Sequence, residues 1–497
     1  MNINISIKKI ICFALLAALI IMTAAACSSS GGDIKTTAVP DTGAETAAET
    51  TTEGRLSDNL PNVDLDGWVM RIIAHHDSLS DESTIYSEEM NGEVINDAIY
   101  LRDTNLKSRF NCDIALFHDN GWGKDQVILT NSILAGTRDY DMAFLLPFAN
   151  SGSVVTNGIL HNMLMVDYID YDMPWWHTNI NDLYTYKGYL PFVSSDYLIS
   201  SYQYANILIF NKNMAKDYGV ESIYDLVRQG KWTLDKFKEI ITVFSRDVDG
   251  NGVFDVNDSY GYATNFGYHA ISWGYAIGDL SVTLSDGEVK LGFDNERFYT
   301  LAEWLYEILY NSDLAFEIVW DKPNEIDFDT NRVFIEAMWL ADLERFRDCE
   351  SEYGIIPYAK FDEAQEGYFT YVDARTGACA IPIDAEPETI SNVGLLLEAL
   401  SCANYNDIIP EYINSVTHAK YTRDEDSIEM MDYIAAGRRW DVGYTFTSTT
   451  SYVWVLMNQL PKSDGKIASH MESVRNSTVA QFEKVLQAYE ELAAKYK

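Results

Sequence analysis

The 497-residue sequence is short of bases, of patterned cysteines and of long apolar runs, and each shortage removes a class of function. Lysine and arginine number 36 against 75 aspartates and glutamates, a formal net charge of −39. Nucleic-acid binding needs a cationic footprint for the phosphates, so no nucleic-acid partner is expected. The acidity itself is read as a solubility feature rather than a functional surface. Of six cysteines, Cys12 and Cys27 are N-terminal, and Cys112, Cys349, Cys379 and Cys402 show no C-x-x-C spacing. A zinc cluster is therefore not expected. Buried free thiols are expected for these four, because a thiol packs as a small hydrophobe; export would still permit three full pairings. No G-x-S-x-G, H-E-x-x-H or phosphate-binding loop occurs, which argues against the hydrolases and nucleotide enzymes built on those motifs.

What is present begins at the N-terminus. Lys8 and Lys9 precede an apolar run from Ile10 to Met22, which ends in Thr23-Ala24-Ala25-Ala26-Cys27. A charged start, a short apolar core and small residues are the layout of a secretory signal. The run is shorter than the ~20 residues of a membrane span and is followed by small polar residues. Ala-Ala-Ala-Cys resembles a bacterial lipobox, departing from its commonest form at Ala24, where Leu is usual. The resemblance implies removal of residues 1–26 and acylation of Cys27 by a lipid such as palmitate. The chain is then expected to be an extracytoplasmic lipoprotein, held to the cell membrane through that anchor only. Residues 27–58 are Ser, Gly, Thr, Ala and Glu with hardly a large apolar side chain. They cannot bury enough surface to fold, and about 30 such residues reach roughly 30 Å, so they read as a tether.

The remaining body of roughly 440 residues is long enough for two or three lobes. Trp68–Ala74 reads as a strand, 88–110 as a helix with apolar residues three and four apart, 111–117 as a second strand and 140–146 as a third. That alternation is the signature of a parallel α/β layer, whose ligands lie past the strand ends. His75, His76 and Asp77 stand there after the first strand, and 147–150 after the third. Further on, 206–210 reads as a buried strand, 232–244 as a helix with Thr233 as N-cap, and 295–309, 392–400 and 473–495 as helices. An α/β fold with at least two lobes follows.

One local motif is specific. Asp247-Val248-Asp249-Gly250-Asn251-Gly252-Val253-Phe254-Asp255-Val256-Asn257-Asp258 fits the calcium loop. Asp247, Asp249 and Asn251 take positions one, three and five, Gly252 the sharp turn, Val253 the carbonyl position, and Asp255 and Asp258 positions nine and twelve. Calcium wants six to eight oxygens, and this spacing gathers them about one point. Asp258 replaces the usual, longer Glu. A structural Ca2+ is expected, locking the preceding helix to the Tyr260–Ala263 segment.

These residues reach a family. The lipobox and spacer, Asn91-Gly92-Glu93-Val94-Ile95-Asn96-Asp97-Ala98, Leu208-Ile209-Phe210-Asn211-Lys212, Lys231-Trp232-Thr233-Leu234-Asp235, the Asp-Gly-Asn-Gly loop, Tyr353-Gly354-Ile355-Ile356-Pro357 and Lys420-Tyr421-Thr422-Arg423-Asp424 together resemble the extracellular solute-binding lipoproteins of bacterial ABC importers, family 1. A departure is Glu336-Ala337-Met338-Trp339, which keeps only part of the family's patch before a Trp. The resemblance implies a periplasmic-binding-protein-like pair of α/β lobes with hinge crossovers and an interlobe cleft, a carbohydrate as commonest ligand, ABC permease subunits as partners, and no catalysis. Lobe one is expected at 59–165 plus 328–382, and lobe two at 166–327 plus 383–497, in a monomer.

The sugar expectation also has a physical basis. Sugars have apolar C–H faces and hydroxyl edges, and aromatic platforms with a few polar groups hold them. With 11 Trp and 32 Tyr available, Trp175, Trp176, Trp273, Tyr275 and Trp339 are candidates because their segments read as loops or element ends. Asp77 is the polar candidate. Against each ring stands the ordinary role of a large aromatic in a core. A secreted glycoside hydrolase needs only two carboxylates across a cleft, and a surface sensor or adhesion module needs the same fold without a transporter; both are alternatives to import.

Overall fold

A computed structural model of the chain describes residues 54–74, 85–118, 124–146, 151–285, 287–319, 326, 328–346, 349–373, 376–417, 425–446 and 452–496. Asp77 and Cys27 lie outside the described residues, as do 147–150 and 420–424. Leu56–Lys497 forms one compact unit. In chain order the strands are β1 (Trp68–Ala74), β2 (Cys112–His118), β3 (Met142–Leu145), β4 (Asn206–Asn211), β5 (Tyr260–Thr264), β6 (Val282–Ser285), β7 (Glu288–Leu291), β8 (Ala315–Glu317), β9 (Val333–Trp339), β10 (Tyr353–Ile356), β11 (Thr370–Tyr371), β12 (Ala378–Ala380) and β13 (Arg438–Arg439).

The first sheet has the order β12-β3-β1-β2, with β1 parallel to β2 and β3 and β12 antiparallel on β3. Met70, Ile72, Ile73 and Ala74 of β1 are buried, whereas Arg71 forks onto Asp141 just before β3, with Nη2 2.7 Å and Nε 3.0 Å from its carboxylate. The crossover helix is Val94–Phe110, six residues shorter than its apolar pattern suggests. Its start is set by a turn: Asp97 Oδ1 accepts the N–H groups of Asn91 and Gly92, at 2.9 and 3.2 Å, and Gly92 has φ 90°.

The second sheet has the order β10-β4-β9-β5-β8. β5, β8 and β9 are parallel, and β4 runs antiparallel between β9 and β10. Every residue of β4 and β9 is buried, the polar Asn206, Asn211 and Glu336 included, as befits central strands covered on both faces. Within 328–382, expected with the first lobe, β9 and β10 pair inside the second sheet and β12 inside the first. Hydrophobicity marks a strand but not its partner.

The Leu234–Phe244 helix is capped by Thr233, whose hydroxyl accepts Lys236 N–H. It buries Leu234, Phe237, Ile240, Ile241 and Phe244 on one face, each stabilising by roughly 1.5–3 kcal/mol. Gly261 of β5 touches that helix so closely that a Cβ there would sit 2.0 Å from the Ile241 carbonyl oxygen. Only glycine allows this approach.

Two chain crossings join the sheets side by side. The outgoing one runs from Val193, bridged to Cys379, to β4, and the returning one from Val372, bridged to Ala205, to β12. Asp373 N–H donates to Tyr204 O at 3.0 Å, and Thr376 Oγ1 to Ser200 O at 3.2 Å. After them comes one long helical run: α-helix Pro387–Ala403, a π turn at Asn404–Ile408 and α-helix Ile409–Thr417. It packs against Val94–Phe110, so this part of 383–497, expected with the second lobe, lies against the first. Cys112, Cys379 and Cys402 are buried free thiols and Cys349 a half-buried one. No helix among the described residues is long and apolar enough to cross a membrane.

Candidate functional site

The carboxyl ends of parallel strands are where an open α/β sheet presents backbone groups and loops to a ligand. In the first sheet the segments past β1 and β3 lie outside the described residues. In the second sheet the edge is described. β9 ends at Trp339, β5 at Thr264, and the antiparallel β4 begins there at Asn206.

Trp339 packs edge-on to Tyr204, with centroids 6.2 Å apart, and tilted against His269 at 5.9 Å. Asn206 gives its Nδ2–H to Tyr371 O at 3.0 Å and faces His269 Nδ1 with Oδ1 at 3.0 Å. That orientation puts the imidazole proton on Nδ1. Asp342 Oδ2 is taken by Trp339 N–H at 3.1 Å. The edge thus gathers aromatic rings, an amide and an imidazole, all four residues less than a tenth exposed in this conformation, in a set whose chemistry matches hydroxyls and apolar faces.

The other candidate rings lie in the core. Trp175 and Trp176 are 0% and 2% exposed, and their indole N–H groups both donate to Glu398, at 3.0 and 2.8 Å. Trp273 lies inside the helix Tyr268–Ala276 and Tyr275 in its last turn. Trp273 is enclosed by Phe237, Trp304 and Tyr358 and donates to Tyr262 Oη at 3.2 Å. Tyr275 stacks on Tyr371 with centroids 4.4 Å apart. These four rings present no face to solvent in this conformation, because their large area is worth more buried. Trp339 alone of the five stands at a strand end, and its neighbours Tyr204, Asn206 and His269 were not singled out from sequence. No local motif marks them; only the direction of β4 brings them to β9.

Behind the edge, the outgoing crossing carries a buried polar chain. His177 Nδ1 meets Ser194 Oγ and Nε2 meets Asp196 Oδ1, both at 2.7 Å. Burial first, then the nearby Arg438 charge, pushes the His177 pKa down, so the ring is neutral. Ser, His and Asp here are 2%, 5% and 1% exposed, closed to any substrate. Arg438 Nη1 donates to Ser201 Oγ at 2.7 Å and its guanidinium lies 3.8 Å over the Tyr202 ring, tying β13 to the crossing.

The oxygen-rich loop is closed at its base. Arg246 and Ser259 exchange backbone hydrogen bonds of 2.9 and 3.1 Å, and Ser245 Oγ accepts Gly261 N–H at 3.0 Å. Within it Asp247, Asp249 and Asp258 bring one carboxylate oxygen each within 4.8 Å of one another. Asp255 does not join them at that distance; its Oδ1 accepts Asn257 N–H. Asn251 Oδ1 accepts Val253 N–H at 2.6 Å. Gly250 and Gly252 take φ 73° and 79°, and the Gly252 N–H, aided by Gly250, holds the Asp247 carboxyl below the usual carboxylate range. Asp258 is fully buried, its two oxygens accepting Val248 and Asp255 N–H. Three gathered carboxylates on a tight glycine turn form a hard-oxygen set that fits calcium.

The sequence matches no protein-family model and no curated protein. Solved structures do resemble it. An ABC substrate-binding protein from Listeria monocytogenes in complex with cycloalternan has a TM-score of 0.53 at 12% identity, covering 84% of this chain and 100% of that one. The galacto-N-biose/lacto-N-biose I-binding protein of an ABC transporter from Bifidobacterium longum has 0.53 at 12% identity, covering 86% and 99%. The GacH receptor of Streptomyces glaucescens, known with acarbose, has 0.50 at 13% identity, covering 83% and 99%. The fold of this chain is therefore the two-lobe fold of the ABC substrate-binding proteins.

Proposed function

We propose that this chain captures a carbohydrate outside the cytoplasm and delivers it to the permease of an ABC importer, with no chemistry of its own. The observation that carries this reading is the fold shared over 83–86% of the chain with proteins seen in complex with cycloalternan, acarbose or lacto-N-biose. The Trp339–Tyr204–His269–Asn206 edge supports it, because its chemistry suits polyol hydroxyls and C–H faces. Paired crossings at Tyr204 and Asp373 are suited to act as the hinge. A ligand closes the lobes only by contacts it makes better in the closed state.

The reading includes two finer points. Lipid on Cys27, with the 27–58 tether, keeps a monomeric binding body near the membrane. Asp247, Asp249 and Asp258 hold a structural Ca2+ that fixes the Leu234–Phe244 helix to β5, with Asn251 and the Val253 carbonyl adding oxygens and Asp255 reaching it through water. The metal would supply only cross-linking of the loop.

The test is a thermal-shift screen of residues 56–497 against mono- and oligosaccharides, with product analysis. A folded-state ligand raises Tm with its concentration. One sugar class raising Tm and recovered intact is the expected outcome. No sugar shifting Tm overturns the carbohydrate, and consumed sugar overturns binding without catalysis. For the anchor, Cys27→Ser should move the chain from the membrane fraction to the medium; retention in the membrane refutes it.

A further inference from the structure

β13 runs parallel to β11, with Arg439 opposite Tyr371, and its two arginines are placed very differently. Arg438 is buried, its Nη1 donating to Ser201 Oγ and its Nε to Ala435 O at 3.1 Å. Arg439, on the opposite face of the strand, is half-buried, and its guanidinium lies 4.4 Å over the Phe369 ring. Phe369 is itself backed by Gly278, where a Cβ would stand 2.8 Å from its Cε2. Arg439 Nη1 donates to Arg438 O at 3.2 Å. That leaves the Nε–Nη2 edge, the flat fork that a carboxylate matches with two parallel hydrogen bonds.

Acids outnumber bases 75 to 36 in this chain, and Arg71, Arg102 and Arg475 each close on an aspartate. No carboxylate reaches Arg439 among the described residues. Burial alone acts on its charge and draws its pKa down. A guanidinium stays charged all the same, so it carries a desolvation cost that no acid offsets.

The position of Arg439 joins it to the ligand edge. Val372 N–H donates to Arg439 O at 3.0 Å, and Val372 is bridged to Ala205, the residue before Asn206. Arg439 thus stands two strand spacings, roughly 10 Å, from the start of β4. Tyr371, opposite it in the ladder, accepts Asn206 Nδ2–H through its carbonyl.

We propose that the captured carbohydrate is acidic and that Arg439 binds its carboxylate, an assignment that rests on carbohydrate capture at the Trp339 edge. An oligosaccharide seated there and extending along the crossing places a uronate on the Nε–Nη2 fork, which Phe369 holds flat. A neutral sugar makes neither of the two charge-assisted hydrogen bonds.

Isothermal titration calorimetry on residues 56–497, the compact unit, tests this. The probes are uronate-containing oligosaccharides, the same oligosaccharides with each carboxylate reduced to the alcohol, and sugar phosphates. At least one uronate ligand should bind about tenfold or more tighter than its reduced form, and the preference should shrink as salt rises. That comparison needs only the parent chain. Arg439→Gln should erase the preference, and Arg439→Lys, which keeps the charge without the fork, should keep part of it. Neutral sugars should bind Arg439→Gln as they bind the parent, which also reports that the variant is folded. Equal affinity within every pair, a preference that survives Arg439→Gln, or a sugar phosphate favoured over every uronate overturns the assignment and leaves carbohydrate capture standing. Binding of no sugar of either kind overturns both.

Discussion

Glu398 holds a carboxylate fully inside the protein, with Trp175, Trp176 and the Asp170 N–H as donors and no cation beside it among the described residues. Burial pushes its pKa from the ordinary 4.5 up to about 7, against the lowering effect of the indole and amide donors. Between those values the folded protein keeps a proton that the unfolded chain has released. Stability contributed by this proton is present in full below pH 4.5 and is lost as pH rises to about 7. At about 1.4 kcal/mol per pH unit, the loss is about 3 kcal/mol. Glu398→Gln has no titration and so no such window. It turns an amide N–H2 toward one indole N–H, leaving that buried donor unmatched at a cost of about 1–3 kcal/mol. Urea unfolding followed by tryptophan fluorescence, at about pH 5 and pH 8, should show the variant weaker at the lower pH. The gap should close or reverse by about 3 kcal/mol at the higher pH. Other carboxylates, such as Asp113 and Asp294, are held low by cation partners and titrate in both proteins, so the difference isolates Glu398. A gap that is the same at both pH values, or that widens as pH rises, refutes the reasoning.

Chelation should lower Tm and Ca2+ restore it, by up to about 2.7 kcal/mol at a hundredfold excess over Kd, and Asp258→Asn should abolish the response in a thermal melt. Gly261→Ala forces a methyl into the Ile241 carbonyl and should cost more than about 2 kcal/mol in urea unfolding, with or without calcium. Trp339→Ala should weaken sugar binding about tenfold by calorimetry while the protein stays folded. Trp273→Ala should instead cost about 3–5 kcal/mol of stability.

Much of the architecture is legible along the chain because it is encoded locally. The β-formers of Trp68–Ala74, the one-sided spacing of Leu234, Phe237, Ile240, Ile241 and Phe244, and the cap Thr233 each need only a few residues to be read. Pairing is not local: nothing in Val333–Trp339 says that it lies between β4 and β5. The candidate site suffers most from this. Trp175, Trp176, Trp273 and Tyr275 follow turns or small residues in sequence, yet solvent exposure is decided by partners such as Glu398, Phe237 and Tyr371 from distant segments. Tyr204, Asn206 and His269 carry no motif and meet Trp339 only because β4 runs against β9.

The π turn at Asn404–Ile408 holds one residue more than an α-helix would use, a surplus that is tolerated in return for an aim. Asn404 Nδ2 reaches the carbonyls of Asp196 and Tyr197, at 2.9 and 2.8 Å, while its Oδ1 accepts Arg102 Nη1 at 2.8 Å. Deleting one residue there would restore ideal winding but swing every side chain beyond it by about 100°. The rod from Pro387 to Thr417 is thus out of phase with itself, so that Asn404 keys to the outgoing crossing while both halves pack against Val94–Phe110. Regularity of the helix and grip on the crossing are alternatives, and this chain has chosen grip.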